Sequence, residues 1–127
     1  MQENQLFEYA VIRLVPRVDR EEFLNIGVIL YCAKQKFLGV TFELNENKIK
    51  NLFPDTDLEE IDHDLKTFEK ICRGDIDGGP ISKLLASERF RWLTSTRSTI
   101  LQTSKVHPGF TRNASETLEK LFSQLVL

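Results

Sequence analysis

Anion chemistry concentrates in one stretch, Arg89 to Phe110, RFRWLTSTRSTILQTSKVHPGF. It contains the only Trp, one of the two His, and five hydroxyl residues within positions 94–99. Arginine presents a planar fork that grips phosphate or carboxylate through two parallel bonds. Ser and Thr hydroxyls, with the N–H groups of a turn, complete a cradle of that kind. Arg91, Arg97, Ser98, Thr99 and Gln102 are therefore the candidate anion- or partner-binding residues, with His107 beside them as the group able to carry a proton. The competing reading is internal: Arg89 and Arg91 pair with acids of the 59–64 region, and the hydroxyls satisfy local turns.

Other chemistries find little purchase. The two His, His63 and His107, belong to separate segments, and Asp62-His63-Asp64 reads as the solvated face of its helix, so no metal or other cofactor is expected. DIDGG at Asp75–Gly79 has the spacing of a calcium loop without its twelve-residue ligand pattern. A Ser98–His107 nucleophile pair lacks the glycines of a nucleophile elbow. No Walker or dinucleotide glycine motif is present. An enzyme is the less favoured class.

Charge and composition narrow the partners. Lys and Arg total 17 against 19 Asp and Glu, a net charge of −2, which favours neither nucleic acid nor a membrane surface. The distribution is uneven. Residues 43–77 hold eleven acids and five bases, whereas residues 88–112 hold one acid and five bases. Such a split steers an anionic partner to one side, or lets two parts of one fold complement each other. The opening MQENQLFEYA has no basic and apolar leader pattern, and no apolar run approaches the length of a bilayer span, so a cytoplasmic chain is expected. Cys32 and Cys72 stand apart in apolar settings and read as reduced core thiols; a bridge between them requires a geometry the sequence does not give.

The elements that must position these residues fit one domain, residues 1–127. Phe7–Val15 reads as a strand with two apolar faces, stopped at Pro16. Asp19 and Glu22 suggest a short helix before Gly27. VILYCA and FLGVTFE, separated by Lys34–Lys36, predict an antiparallel hairpin. Asn45 and Asp57 cap two helices, the first ended by Pro54 and the second by Gly74. One or two helical turns follow at 81–86. Phe90 and Trp92 alternate with Arg89 and Arg91, which predicts a strand paired with Thr99–Thr103 in a second hairpin, and His107-Pro108-Gly109 reads as a turn. Asn113 caps a closing helix with Leu118, Leu121, Phe122 and Leu125 on one face, expected to lie flat on the sheet. The sum is an α+β fold: a mostly antiparallel sheet of about five strands with helices packed on it.

Three segments, YAVIRLVPRVDREEFLNIGVILYC, FLGVTFEL and RFRWLTSTRSTILQTSKVHPG, together resemble the bacterial domain-of-unknown-function family 3037, over nearly the whole chain. The resemblance implies a small bacterial protein with no assigned activity and no defined catalytic residues. It also implies an accessory role beside a HipA-like kinase. Its motif positions include Arg13, Glu22 and Asn25, which would form one polar pocket with Arg91 or Arg97 if the two blocks pack together. The functional expectation is a non-enzymatic partner-binding module. The alternatives are a binder or enzyme for a phosphate-bearing molecule or nucleotide at Arg91, Arg97 and His107, and, less favoured, nucleic-acid binding.

Overall fold

Thirteen residues, Gln5–Arg17, form β1, the strand on which the whole sheet is built. A computed structural model describes residues 3–17, 22–95 and 100–127. On one side β1 pairs antiparallel with β2 (Glu22–Cys32), and β2 pairs with β3 (Phe37–Phe42). The other side of β1 is shared end to end by two short strands. β5 (His107–Thr111) pairs with Gln5–Tyr9 and β4 (Leu101–Thr103) with Ile12–Leu14, both antiparallel.

The two apolar faces of β1 bury against different helices. Ala10, Ile12 and Leu14 join Ile26 and Ile29 under α1 (Glu46–Leu52), α2 (Leu58–Arg73) and α3 (Ala86–Leu93). Phe7, with Val28, Leu30 and Cys32, packs under Ala114 and Leu118 of α4 (Ala114–Leu125). Helices therefore cover both sides of the antiparallel sheet, as α+β packing requires. Cys32 and Cys72 are free, buried, and in the two different clusters.

Most helix ends follow from the cap chemistry. Asn45 accepts from Lys48 N at 3.1 Å, and Asp57 accepts from Glu59 N and Glu60 N at 3.1 and 3.2 Å. Gly74 takes a left-handed conformation (φ 73°) while Asp75 N–H donates to the Lys70 carbonyl, closing α2. Asn113 caps α4 through Glu116 N at 3.1 Å. Gln35, in the β2–β3 turn, accepts from Ala114 N at 2.8 Å, so the hairpin also pins the start of α4.

Several expectations change. RFRW is helix, because Ala86, Phe90 and Leu93 recur at i, i+4 and i+7 and Phe90 and Leu93 are buried; alternation over four residues was too short to separate the two periods. With α3 a helix there is no second hairpin, and β4 and β5 pair with β1 instead of with each other. The helix expected near 81–86 is a 3-10 turn at Pro80–Lys83, preceded by another at Ile76–Gly78. Residues 107–109 are strand: Pro108 is tolerated because β5 is an edge, and Gly109 because the Phe7 ring occupies the space a Cβ would need, 2.5 Å from its Cζ.

Near Pro16 the strand bulges instead of stopping, and it runs on to Arg17. The described part of the expected short helix, from Glu22, is the start of β2; Asp19 lies outside the described residues.

Candidate functional site

A second irregularity sets the site. Along β1 and β2 the register runs Val11↔Val28 and Ile12↔Gly27, then skips to Arg13↔Asn25, leaving Ile26 as the extra residue of a bulge. Without the bulge Asn25 would fall opposite Leu14 and point into the α2-side core. Gly27, beside the bulge, lets β3 approach closely, since a Cβ there would lie 2.7 Å from the Thr41 carbonyl oxygen and 2.8 Å from Phe42 Cβ. Directly opposed residues share a face. Asn25 therefore stands beside Arg13, and on the other side of Arg13 stands Gln102 of β4. The row Asn25–Arg13–Gln102 crosses three strands on the α4 face.

Helix α4 lies over β2 and β3 and leaves the β4 side of this face without a described helix over it. There the Arg13 guanidinium sits 4.2 Å from the centre of the Phe23 ring, a cation–π contact with a side chain that is 49% exposed. Arg13 is half-buried, and its Nε is buried with no hydrogen-bond partner. Asn25 Nδ2 donates to the Leu125 carbonyl at 3.2 Å, which fixes the amide orientation and leaves Oδ1 buried and unpartnered. A buried donor and a buried acceptor thus stand unsatisfied at paired positions, a state that is costly unless something fills it.

The remaining candidates scatter. Arg91 is exposed on α3, on the opposite side of the sheet from Asn25. Arg97, Ser98 and Thr99 lie outside the described residues. Glu22 shares the α2 face with Leu24 and lines a cleft of ≈ 360 Å³ with Asp55, Asp57 and Glu60. His107 is on the Arg13 face, its ring 5.3 Å from that of Tyr9, but Tyr9 and Arg13 are four residues apart, about 13 Å along the strand.

Arg89, and Asp62 and Glu69 of α2, have other partners. Arg89 Nη1 donates to the Leu84 carbonyl at 2.7 Å, and its guanidinium packs on Gly74 at the end of α2, where a cation suits the helix dipole. Asp62 pairs with Lys66 at 2.8 Å and Glu69 with Arg73 at 3.4 Å. Among the described residues no group of three His, Cys, Asp or Glu is placed to hold a metal. In the 75–79 loop, Asp77 pairs with Lys70 at 2.9 Å, and Ser82 Oγ bonds the Asp75 and Gly79 carbonyls. Burial pushes the Cys72 thiol up to about 12, against the opposing pull of Arg89, so it is not a thiolate nucleophile near neutral pH.

A second cleft, of ≈ 220 Å³, opens between α2, α3 and β4, where Trp92, Phe68 and Leu101 meet Asp64, Thr67 and Ser95. Sequence reasoning did not place it, because it depends on α3 being a helix. Its apolar wall is formed by Phe68, Ile71, Leu93 and Leu101 of the α2-side core, and Trp92 is 38% exposed at its rim.

No described helix is long and apolar enough to cross a membrane. No curated protein and no solved structure matches the chain. A family model does match, that of the proteins of unknown function DUF3037, and it spans residues 9–126, from the middle of β1 to the end of α4. The match takes in Arg13, the Asn25 bulge, Gln102 and the β4–β5 edge together, and the chain belongs to the DUF3037 family.

Proposed function

We propose that this protein is a non-enzymatic binding module, an accessory chain that docks a protein partner on the Arg13 half of the α4 face. The observation that carries this reading is Arg13 itself: a half-buried guanidinium, stacked on an exposed Phe23, with its Nε unpartnered. A guanidinium Nε–H shut away from water without an acceptor costs the desolvation of that donor. A site that keeps an Arg in that state is complementary to an incoming acid. Arg beside an exposed aromatic is also the composition of interface anchors.

Among the described residues, the polar and aromatic strand positions on this half of the face are Tyr9, Arg13, Phe23, Asn25, Gln102 and His107, and none of these is acidic. The surface therefore favours an acidic partner although the whole chain is slightly negative. The partner named by the family resemblance, a HipA-like kinase, provides the test. With the two co-expressed, the tagged wild-type chain should retain the kinase on a column and Arg13→Ala should release it. Equal retention by Arg13→Ala would remove Arg13 from the docking surface. No retention by wild type would remove the kinase as the partner.

A further inference from the structure

We infer that Arg13 and Asn25 form one recognition site for an acidic main-chain segment: Arg13 takes a carboxylate and Asn25 Oδ1 takes a backbone N–H of the same segment. The inference rests on the binding-module reading and names the chemistry of the partner. It follows from what the two residues lack. Arg13 Nε is a buried donor without an acceptor, and Asn25 Oδ1 is a buried acceptor without a donor. They occupy directly paired positions on β1 and β2, so their Cβ atoms are about 4.5–5.5 Å apart.

Acetate, which has no donor, satisfies only the arginine; inorganic phosphate keeps a P–OH near neutral pH but offers no main-chain N–H. A ligand carrying an anionic acceptor and an N–H donor a few ångströms apart satisfies both, and an Asp or Glu within a peptide has that arrangement. Asn25 cannot turn its own amide to meet the need, because Nδ2 is committed to the Leu125 carbonyl. Phe23, 49% exposed beneath the guanidinium, adds apolar surface for the stem of the acidic side chain.

The experiment is a ¹⁵N NMR titration of the full chain, following the Arg13 Nε–H resonance and the Asn25 side-chain amide. The probes are acetyl-Gly-Asp-Gly-amide, its Asn counterpart, acetate and inorganic phosphate. The Asp peptide should move both resonances, at least tenfold lower concentration sufficing than for acetate, and the Asn peptide should leave Arg13 unmoved. Arg13→Lys keeps the charge but loses the fork, and should weaken the Asp peptide about tenfold. Acetate or phosphate moving both resonances as readily as the Asp peptide would overturn the main-chain half of the site, with Arg13 still an anion anchor. An Asp peptide that leaves Arg13 Nε–H unmoved at millimolar concentration would overturn the inference outright. Kinase retention, measured separately, reports on the docking reading whichever way the titration falls.

Discussion

Ser104 Oγ lies 2.8 Å from the Val11 backbone nitrogen and accepts its hydrogen, while Ser104 N–H donates to the Val11 carbonyl at 2.8 Å. One residue thereby supplies both ladder bonds at the point where β4 has ended and β5 has not begun. Its hydroxyl proton goes to the Lys105 carbonyl at 2.9 Å, so the oxygen is free to accept. Both Ser104 and Val11 are buried, and water cannot stand in.

Replacing Ser104 by Ala therefore leaves the Val11 N–H buried without an acceptor. The cost should be about 1–3 kcal/mol, read as a lower urea midpoint at unchanged m-value, with the Val11 amide losing its hydrogen-exchange protection. Ser104→Thr keeps the oxygen and should lose less. An alanine variant as stable as wild type would mean that the hydroxyl is not the acceptor.

Gly27 and Gly109 differ in what an added methyl meets. At Gly27 it meets the Thr41 carbonyl oxygen and Phe42 Cβ; at Gly109 it meets the end of the Phe7 ring. Backbone yields less readily than a ring. Gly27→Ala should cost more than Gly109→Ala, both within the overpacking range of about 1–3 kcal/mol or somewhat above it. Denaturant melts of the two variants would show the order, and only Gly27→Ala should move the amide resonances of Asn25 and Arg13.

Arg13 should behave as a binding residue does when its partner is absent. Arg13→Leu removes a buried donor that has no acceptor and gives up a cation–π contact worth about 0.5–1 kcal/mol. In the isolated chain the change should be neutral or stabilising, seen as an equal or higher Tm. A destabilisation beyond about 1 kcal/mol would assign Arg13 a structural duty instead.

The Cys72 thiol titrates far above its ordinary range because burial disfavours the thiolate. Its folded-state value, about 12, exceeds the ordinary 9.0 that applies when the chain unfolds. This contribution to stability is complete below about pH 9 and is lost as the pH climbs toward 12, at up to about 1.4 kcal/mol per pH unit. Cys72→Ala should flatten the alkaline limb of the stability curve. In the folded wild type at pH 8, iodoacetamide should label neither buried cysteine at the rate of the urea-unfolded chain.

Where the sequence carried long periods and explicit caps, structure could be read from it. Asp57 to Gly74 announces a helix through its cap, its Ile61–Leu65–Phe68–Cys72 stripe and its terminal glycine, and all three are present. The Asn113 helix and the β2–β3 hairpin were legible for the same reason. Phe90 and Trp92 misled because two aromatics two residues apart suit a strand, while the helical partner of Phe90, Ala86, is too small to stand out as apolar. Pro108-Gly109 misled because edge position and the Phe7 ring, both long-range facts, decide its conformation. At the site, Arg13, Asn25 and Gln102 were identifiable as residue types, but not as neighbours. Their adjacency needs β1 to pair with segments 12 and 89 positions away, and a one-residue bulge that no local pattern marks.

The shared edge of β1 has a consequence for how the chain reaches this state. Within this sheet β1 is made before its partners, and it acquires its second row of them only when residues 101–111 arrive, after α1, α2 and α3 have already been made. Contacts at such sequence separation slow folding, since a long loop must close before they form. Until then β1 presents an open edge with Phe7 and Val11 not yet enclosed, the kind of surface on which nascent chains aggregate or recruit chaperones. Completion of the Arg13 site therefore waits on the C-terminal elements: Gln102 joins the row only when β4 docks, and Asn25 is held only when α4 does, so a chain truncated before residue 101 should be both unfinished along that edge and unable to bind.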